Sequence, residues 1–379
     1  MNNTYKFFKW VASLGLALGL SGCMHDDIVD YVAQDTETLE TYLNSNNIDY
    51  YKTSTLGQGY GVYITPPDVI TPLPGEPEEN DVRIIQSTLD LRKFDQSLID
   101  NEQIGSNPDE LVTQVFLKDS LYTFAVRRGA ICLGYLDALI NMQRGPVAER
   151  VYIPSYLAFG GTASSGIGLE FNDIVTAENL KIVDVRDARS QAEYEKALAL
   201  QYAADSIDGF VSAEQGLMDS TSVVATDFYG EGQDLILNDY IVKHTITEGE
   251  GDLIAVGDTV KVRYEGKFAN LGSNSERAKA TLVFDDNITE KDGSMPDALQ
   301  VVVYSNSQDA SEKNASTQVI NGWYKALRSM KVGEKAIFVM PSHVAYWETG
   351  DNPNTFDLFK TIRPFKTLVF TMEIKKDEQ

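Results

Sequence analysis

One twelve-residue pattern occurs twice in this chain and limits what it can become. Gly322–Gly333 reads GWYKALRSMKVG and Gly134–Gly145 reads GYLDALINMQRG, with Gly, an aromatic residue, Ala, Leu, Met and Gly in matching places. In each copy the apolar residues fall at i, i+3, i+4 and i+7 (Trp323, Ala326, Leu327, Met330; Tyr135, Ala138, Leu139, Met142), which predicts a short helix burying one face. Each copy closes on a glycine suited to the left-handed position after a helix, then runs into a strand, AIFVMP (Ala336–Pro341) or ERVYIP (Glu149–Pro154). The repeated element is therefore a helix returning onto a sheet. An ordinary core helix satisfies the same spacing, so the flanking residues must decide whether a site is present.

The rest of the chain repeats an order around these helices. A polar, helix-compatible stretch from Asp26 to Asn47 comes first. Strand-like runs follow at Tyr60–Thr65 and Val82–Ile85, separated by a Pro-rich loop, then at Val112–Leu117 and Leu121–Val126, before the first helix. Val151–Ile153, a Gly/Ser-rich loop at Gly160–Gly168 and Leu180–Val185 follow it. Gln191–Asp208 is rich in Ala, Leu, Glu and Lys, reads as a helix, and leads through an irregular polar stretch to a strand at Tyr240–Thr245. The second unit has strands at Thr259–Tyr264, Leu282–Asp285, Leu299–Tyr304, Ala336–Met340 and Thr367–Ile374, with a polar insertion at 270–280. Several local strands with one helix each predict an α+β class, with mostly antiparallel sheets. The expected boundaries are a leader at 1–22, a tether and short helix at 23–52, a first domain at 53–190, a helical linker at 191–234 and a second domain at 235–379.

The leader has Lys6 and Lys9 before an apolar run from Trp10 to Leu20, then Leu20-Ser21-Gly22-Cys23. That end resembles the lipobox of bacterial lipoproteins, which implies a lipid on Cys23 and a membrane-anchored protein of the cell envelope. A formal net charge of −24 excludes nucleic acid as a partner and disfavours adhesion to anionic head groups, so attachment falls to the lipid. Beyond Cys23 there is only Cys132, in an apolar run, which leaves no intramolecular disulfide to a mature chain.

Common catalytic signatures are missing. There is no G-x-S-x-G elbow, no Walker loop and no H-E-x-x-H, and His25, His244 and His343 lie in unrelated contexts. GGTASSG at Gly160–Gly166 has the composition of a phosphate loop, but no helix pattern follows it. What remains is aromatic and aliphatic.

Here the second unit resembles the FKBP-type peptidyl-prolyl isomerases. GDTVKVRYEGKF (Gly257–Phe268) is similar to their opening strand with its site tyrosine, Tyr264; Phe284-Asp285 to their Phe-Asp pair; Val319-Ile320-Asn321-Gly322-Trp323 to the Val-Ile-x-Gly-Trp entry to the helix; Ala345-Tyr346 to their Ala-Tyr; and Thr367–Phe370 to the closing strand with its site Phe. The five motifs keep the family order over about residues 235–376. The resemblance implies an isomerase of X-Pro bonds without a cofactor, acting on proline-containing polypeptides. Trp323, Phe284, Val319 and Phe370 would enclose the prolyl ring, the Ile320 N–H and Tyr346 hydroxyl would meet substrate carbonyls, and Tyr264 with Asp285 would form a polar wall. A non-catalytic binding module built on the same pocket is the alternative.

Two departures bear on that implication: Trp347 stands where a Gly usually follows Ala-Tyr, at an expected groove rim, and Arg363-Pro364 replaces a common Pro-Pro. The first unit resembles the family more faintly. Lys93-Phe94-Asp95 keeps the Phe-Asp pair and Ile131–Tyr135 keeps the helix entry with Tyr for Trp. Phe159 replaces the tyrosine of Ala-Tyr, Ile182 replaces the closing-strand Phe, and the opening strand VRIIQS has no Tyr. That pattern implies a degenerate, inactive copy.

Overall fold

The computed structural model describes residues 25–54, 60–65, 84–88, 91–94, 122–125, 132–142, 149–160, 172–211, 216–226, 232–269, 283–290, 293–351 and 362–375. Cys23 and the leader, the Pro-rich loop, the expected strand at 112–117, Asp95, the GGTASSG loop after Gly160 and the 270–280 insertion lie outside the described residues. The chain divides into two compact units, one built mainly from residues up to Asp184 and the other mainly from Val185 to Gln379.

The first unit starts with helix α1, His25–Ser45. Leu39 and Leu43, four residues apart, stack on one face and are buried with Tyr63 and Tyr152, so this segment is packed against the sheet. The sheet has five strands, β1 (Tyr51–Lys52), β2 (Tyr63–Thr65), β3 (Leu91–Lys93), β4 (Glu149–Ile153) and β5 (Val175–Leu180), in the order β1-β2-β4-β5-β3, and every pairing is antiparallel. Helix α2, Leu133–Asn141, is the first copy of the repeated pattern; Tyr135, Ala138 and Leu139 are fully buried, as their spacing requires. Asp137 interrupts that apolar helix and is buried because the Thr53 hydroxyl donates to its carboxylate.

The second unit repeats the plan at larger scale. Helix α3, Ala188–Ser206, precedes a seven-stranded antiparallel sheet. Its strands are β6 (Gly216–Thr226), β7 (Gly232–Thr247), β8 (Thr259–Phe268), β9 (Val283–Asp286), β10 (Leu299–Val302), β11 (Lys335–Met340) and β12 (Leu368–Ile374), in the order β9-β8-β12-β11-β7-β6, with β10 also on β8. Side chains alternate across β11 and β12, so the two faces bury different partners. Ala199, Tyr202 and Ala203 of α3, with Ile207 at its C-cap, cover one face at Val242, Val339 and Val369. The opposite face carries Phe338, paired in register with Phe370, which is itself paired with Gly266.

Residues 191–234, expected as a helical linker, supply most of α3 and all of β6 to this unit, and β6 pairs with β7 over eleven positions, Gly216 against Val242 to Thr226 against Gly232. The stretch expected to be irregular is thus a strand. A shorter helix α4, Ser307–Glu312, is capped by Asn306, whose side chain accepts from the Asp309 N–H.

The second copy of the repeated pattern is helix α5, Asn321–Arg328. It ends earlier than its pattern implies: Ser329 caps it, and Lys331–Val332 forms a short strand against Glu250–Leu253. Gly333, at φ 79°, therefore sits in the tight turn between that short strand and β11, closed by Glu334 N–H donating to Lys331 O at 3.1 Å, and does not follow the helix. Met330 is still fully buried, so the fourth apolar position is satisfied beyond the last helical turn. No helix among the described residues is long and apolar enough to cross a membrane.

Candidate active site

Helix α5 reaches the sheet closely because Gly322 has no side chain; a Cβ there would lie 2.7 Å from Met340 Sδ. That approach seats Trp323, only 4% exposed, between two strands. Tyr264 of β8 meets its ring at 4.9 Å and 78°, and Phe370 of β12 meets it at 5.4 Å and 85°. Phe284 of β9 continues the chain, 5.7 Å from Phe370 at 86°. Four of the expected residues thus form one edge-to-face aromatic array, the arrangement that ring quadrupoles favour.

The polar groups lie along one side of it. Tyr264 donates its hydroxyl to Asp285 Oδ2 at 2.6 Å. Burial first, then that hydrogen bond and the charge of Asp285, hold the Tyr264 hydroxyl well above the usual tyrosine range, so it stays a neutral donor. Tyr346 is raised too, mainly by burial and then by the charges of Asp351 and Asp285. No described residue bonds its hydroxyl.

Ile320 caps α5 through its carbonyl, which accepts from Trp323 N–H at 3.0 Å. Its own N–H has no acceptor among the described residues. Val319, next to it, donates its N–H to the Tyr324 hydroxyl at 3.4 Å, which ties down the helix entry. The fold therefore brings all eight expected residues to the helix entry, three neighbouring strands and the turn after β11.

Three further residues shape the site without having been singled out by sequence. Gly266 faces the array, and a Cβ there would lie 2.8 Å from both Phe284 and Phe370 ring carbons. Its signal was available in GDTVKVRYEGKF, as a glycine inside a strand pattern. Asn287, buried, accepts from Tyr264 N–H at 2.7 Å and donates to Val262 O at 3.0 Å, fixing the backbone under the tyrosine. Phe268 extends the array, 5.1 Å from Phe284.

Trp347 is not at the rim. It is 7% exposed, edge-on to Phe365 at 4.9 Å, and clustered with Ala188, Ala192, Val223, Ala225 and Leu237. Its φ of 41° explains why glycine suits this position. Holding a tryptophan there costs about 1–3 kcal/mol, which burial of so large a ring offsets. Arg363 is buried as well, 1% exposed.

The first unit keeps the framework and closes the pocket. Tyr135, at the position of Trp323, is fully buried, with its hydroxyl 2.8 Å from Ser87 Oγ and donating to Thr88 O at 2.8 Å. Phe94 does not join it; its ring packs on Tyr42 of α1 at 4.9 Å and on Tyr152 at 6.1 Å.

A family model described as FKBP-type peptidyl-prolyl cis-trans isomerase matches residues 251–375. The chain is 25% identical over 213 residues to a probable FKBP-type peptidyl-prolyl cis-trans isomerase of Haemophilus influenzae, covering 53% of this chain and 74% of that protein. It is 31% identical over 118 residues to FK506-binding protein 2 of Debaryomyces hansenii, covering 31% of this chain and 62%, less than two thirds, of that protein. Among solved structures it is similar to the three FKBP domains of wheat FKBP73, at 16% identity and a TM-score of 0.25, over 83% of this chain and 95% of that one. Residues 251–375 of this chain form a domain of the FKBP-type peptidyl-prolyl cis-trans isomerase family.

Proposed function

We propose that the second unit catalyses cis/trans isomerisation of X-Pro bonds in envelope or exported polypeptides, and that the chain is attached to the envelope membrane through a lipid on Cys23. The observation that carries the catalytic reading is the buried Trp323 floor, walled by Tyr264, Phe370 and Phe284, beside an Ile320 N–H and a Tyr346 hydroxyl that no described residue satisfies.

The reaction needs neither nucleophile nor metal. Its barrier of about 18–20 kcal/mol comes from amide resonance lost as the C–N bond twists. The planar amide is the more polar state and is well solvated by water; a dry aromatic wall removes that advantage and favours the twisted form. Each ~1.36 kcal/mol of such preference gives a tenfold rate. The Ile320 N–H and Tyr346 O–H would hold the flanking carbonyls, so that the prolyl ring stays on Trp323 while the bond rotates. In the first unit the same floor is a tyrosine whose hydroxyl is already satisfied inside the protein, which supports reading that unit as an inactive copy.

Exchange NMR on an X-Pro peptide with the full chain tests this. Wild type should accelerate exchange. Tyr346→Phe should lose several-fold, in line with one hydrogen bond of about 0.5–1.5 kcal/mol, and Trp323→Leu should lose nearly all acceleration. A wild-type chain that binds the peptide and leaves exchange at its uncatalysed rate would make the unit a binding module.

A further inference from the structure

The turn that carries Tyr346 is held from outside the matched domain. Glu195 of α3 is fully buried and reaches the first residue of that turn: Ser342 N–H donates to Oε2 and Ser342 Oγ donates to Oε1 at 2.7 Å. Gln191 Nε2 donates to the same Oε1 at 2.8 Å. Ser342 in turn accepts through its carbonyl from Ala345 N–H and Trp347 N–H, both at 2.8 Å. Those two residues bracket Tyr346, so a shift of Ser342 moves the tyrosine on both sides. Trp347 adds a second anchor on α3 and β6.

A second buried carboxylate holds the helix that carries Trp323. Asp239 of β7, with a side chain 0% exposed, contacts Lys325 Nζ of α5, accepts from Thr221 Oγ1 at 3.0 Å, and lies 3.2 Å from His343 Nε2 in the same turn. Lys325 also reaches Asp219 of β6 at 2.9 Å. Glu195, Asp219 and Asp239 all precede residue 251, where the family match begins.

The first unit has the same device. Asp35 of α1 is buried and accepts from Ser155 N–H and Ser155 Oγ, both at 2.7 Å, and Ser155 O accepts from Ala158 and Gly160, which bracket Phe159. Gly160 has φ 49°, close to the 41° of Trp347. A carboxylate from the preceding helix setting this turn is thus a property of the repeat, and only the second copy has a hydroxyl for the turn to aim.

We propose that Glu195 is a positioning residue that sets Tyr346 through Ser342, and that Asp239 does the same for the helix bearing Trp323, which makes the segment before the matched domain part of its working site. This rests on the isomerase reading of that site. An ordinary structural role would lower stability and leave the coupling to Tyr346 at zero, whereas positioning makes the two residues non-additive.

The test is a double-mutant cycle on the full chain, read as kcat and KM for exchange of an X-Pro peptide, with thermal unfolding of each variant. Glu195→Gln, nearly isosteric but with a donor where Ser342 N–H needs an acceptor, should lower kcat about three- to tenfold, the scale of one hydrogen bond. In the Tyr346→Phe background the same change should cost almost nothing. Ser342→Ala, which keeps the backbone contact, should show a smaller loss with the same dependence, and serves if Glu195→Gln fails to fold. Asp239→Asn should lower kcat and keep, in the Tyr346→Phe background, the part of its effect carried by Lys325 and α5, losing only what passes through His343 of the Tyr346 turn. Equal, additive losses for Glu195→Gln with and without the Tyr346 hydroxyl, or no loss at all, would overturn the proposal while leaving the isomerase reading standing. If wild type binds the peptide without speeding exchange, the isomerase reading falls by itself, and the cycle is read on peptide Kd with the same criteria. A wild-type chain that neither binds nor accelerates overturns both.

Discussion

Gly266→Ala sets two effects of opposite sign against each other. In a strand, alanine is ordinarily better than glycine by about 0.5–1 kcal/mol, because glycine gives up more backbone freedom on folding. Gly266 has no positive φ to forbid the change. A new Cβ would lie 2.8 Å from Phe284 Cε2, Phe284 Cζ and Phe370 Cε1. Ordinary contact begins near 3.4 Å, so two rings must each retreat by several tenths of an ångström. Neither has an easy path: Phe370 is 4% exposed and touches Trp323, and Phe284 is braced by Phe268. Overpacking of this kind costs about 1–3 kcal/mol, which outweighs the propensity gain and leaves a net loss on the order of 1–2 kcal/mol.

The same displacement reaches the site. Phe284 and Phe370 are walls of the proposed prolyl pocket, and a shift of about 1 Å can cost up to a hundredfold in rate. Gly266→Ala should therefore lower kcat/KM for X-Pro exchange by at least tenfold. Tryptophan fluorescence during denaturant unfolding reads the stability of the second unit, which contains Trp323 and Trp347. A Gly266→Ala chain as stable as wild type or more so, with unchanged exchange, would refute the claim that this glycine makes room for the two rings.

Other changes should separate the remaining parts. Tyr135→Phe in the first unit strips buried Ser87 and Thr88 O of their shared partner and should cost about 1–3 kcal/mol, while X-Pro exchange by the full chain stays at the wild-type rate; a fall in rate would show that the first pocket works. Metabolic labelling with a fatty acid should mark wild type and spare Cys23→Ala, and label retained on the variant would remove the lipid assignment. Burial raises Glu195 above its ordinary carboxyl value, so the folded state keeps the proton longer than the unfolded one, and stability should fall as pH rises from about 4.5 through the raised value. Glu195→Gln should flatten that part of the curve in pH-dependent unfolding, and an unaltered profile would count against a buried, proton-retaining carboxyl.

What could be read in advance depended on whether a residue's role is set by its neighbours in sequence. The aromatic array was legible because Tyr264, Phe284, Trp323 and Phe370 each sit in a short run of fixed order, and alternation then forces Phe370 and Phe338 to one face. β6 was not legible. Its run GLMDSTSVVAT looks polar, yet Thr221, Val223 and Ala225 alternate inward while Ser222 and Val224 are exposed. Small buried residues carry the period there, and they weigh little in any count of apolar positions. The end of α5 is hidden for a related reason: Met330 keeps the i+7 position apolar although the chain has already left the helix, the Ser329 hydroxyl donating back to Ala326 O at 2.7 Å. Trp347 reads as a rim residue in sequence because its buried partners, Ala188, Val223 and Leu237, are more than a hundred residues away along the chain.

The two copies of the repeated helix show how one backbone plan separates into a pocket and a plug. At the aromatic position Trp323 has a ring wide enough to be a floor while its neighbours stand edge-on around it. Tyr135 occupies less width and brings a hydroxyl that cannot remain buried without partners, so Ser87 and Thr88 must close on it. Two residues further along each helix, Lys325 and Asp137 are opposite in charge and do the same work, each binding an early part of its own unit's sheet, through Asp239 of β7 in one case and through Thr53, directly after β1, in the other. Restoring a pocket to the first unit therefore requires more than Tyr135→Trp. Ser87 would be left without its partner, and Phe94, committed to Tyr42 and Tyr152, would still be missing from the wall. The docking of the helix is shared by both units; the satisfied hydroxyl at its aromatic position is what closes the first.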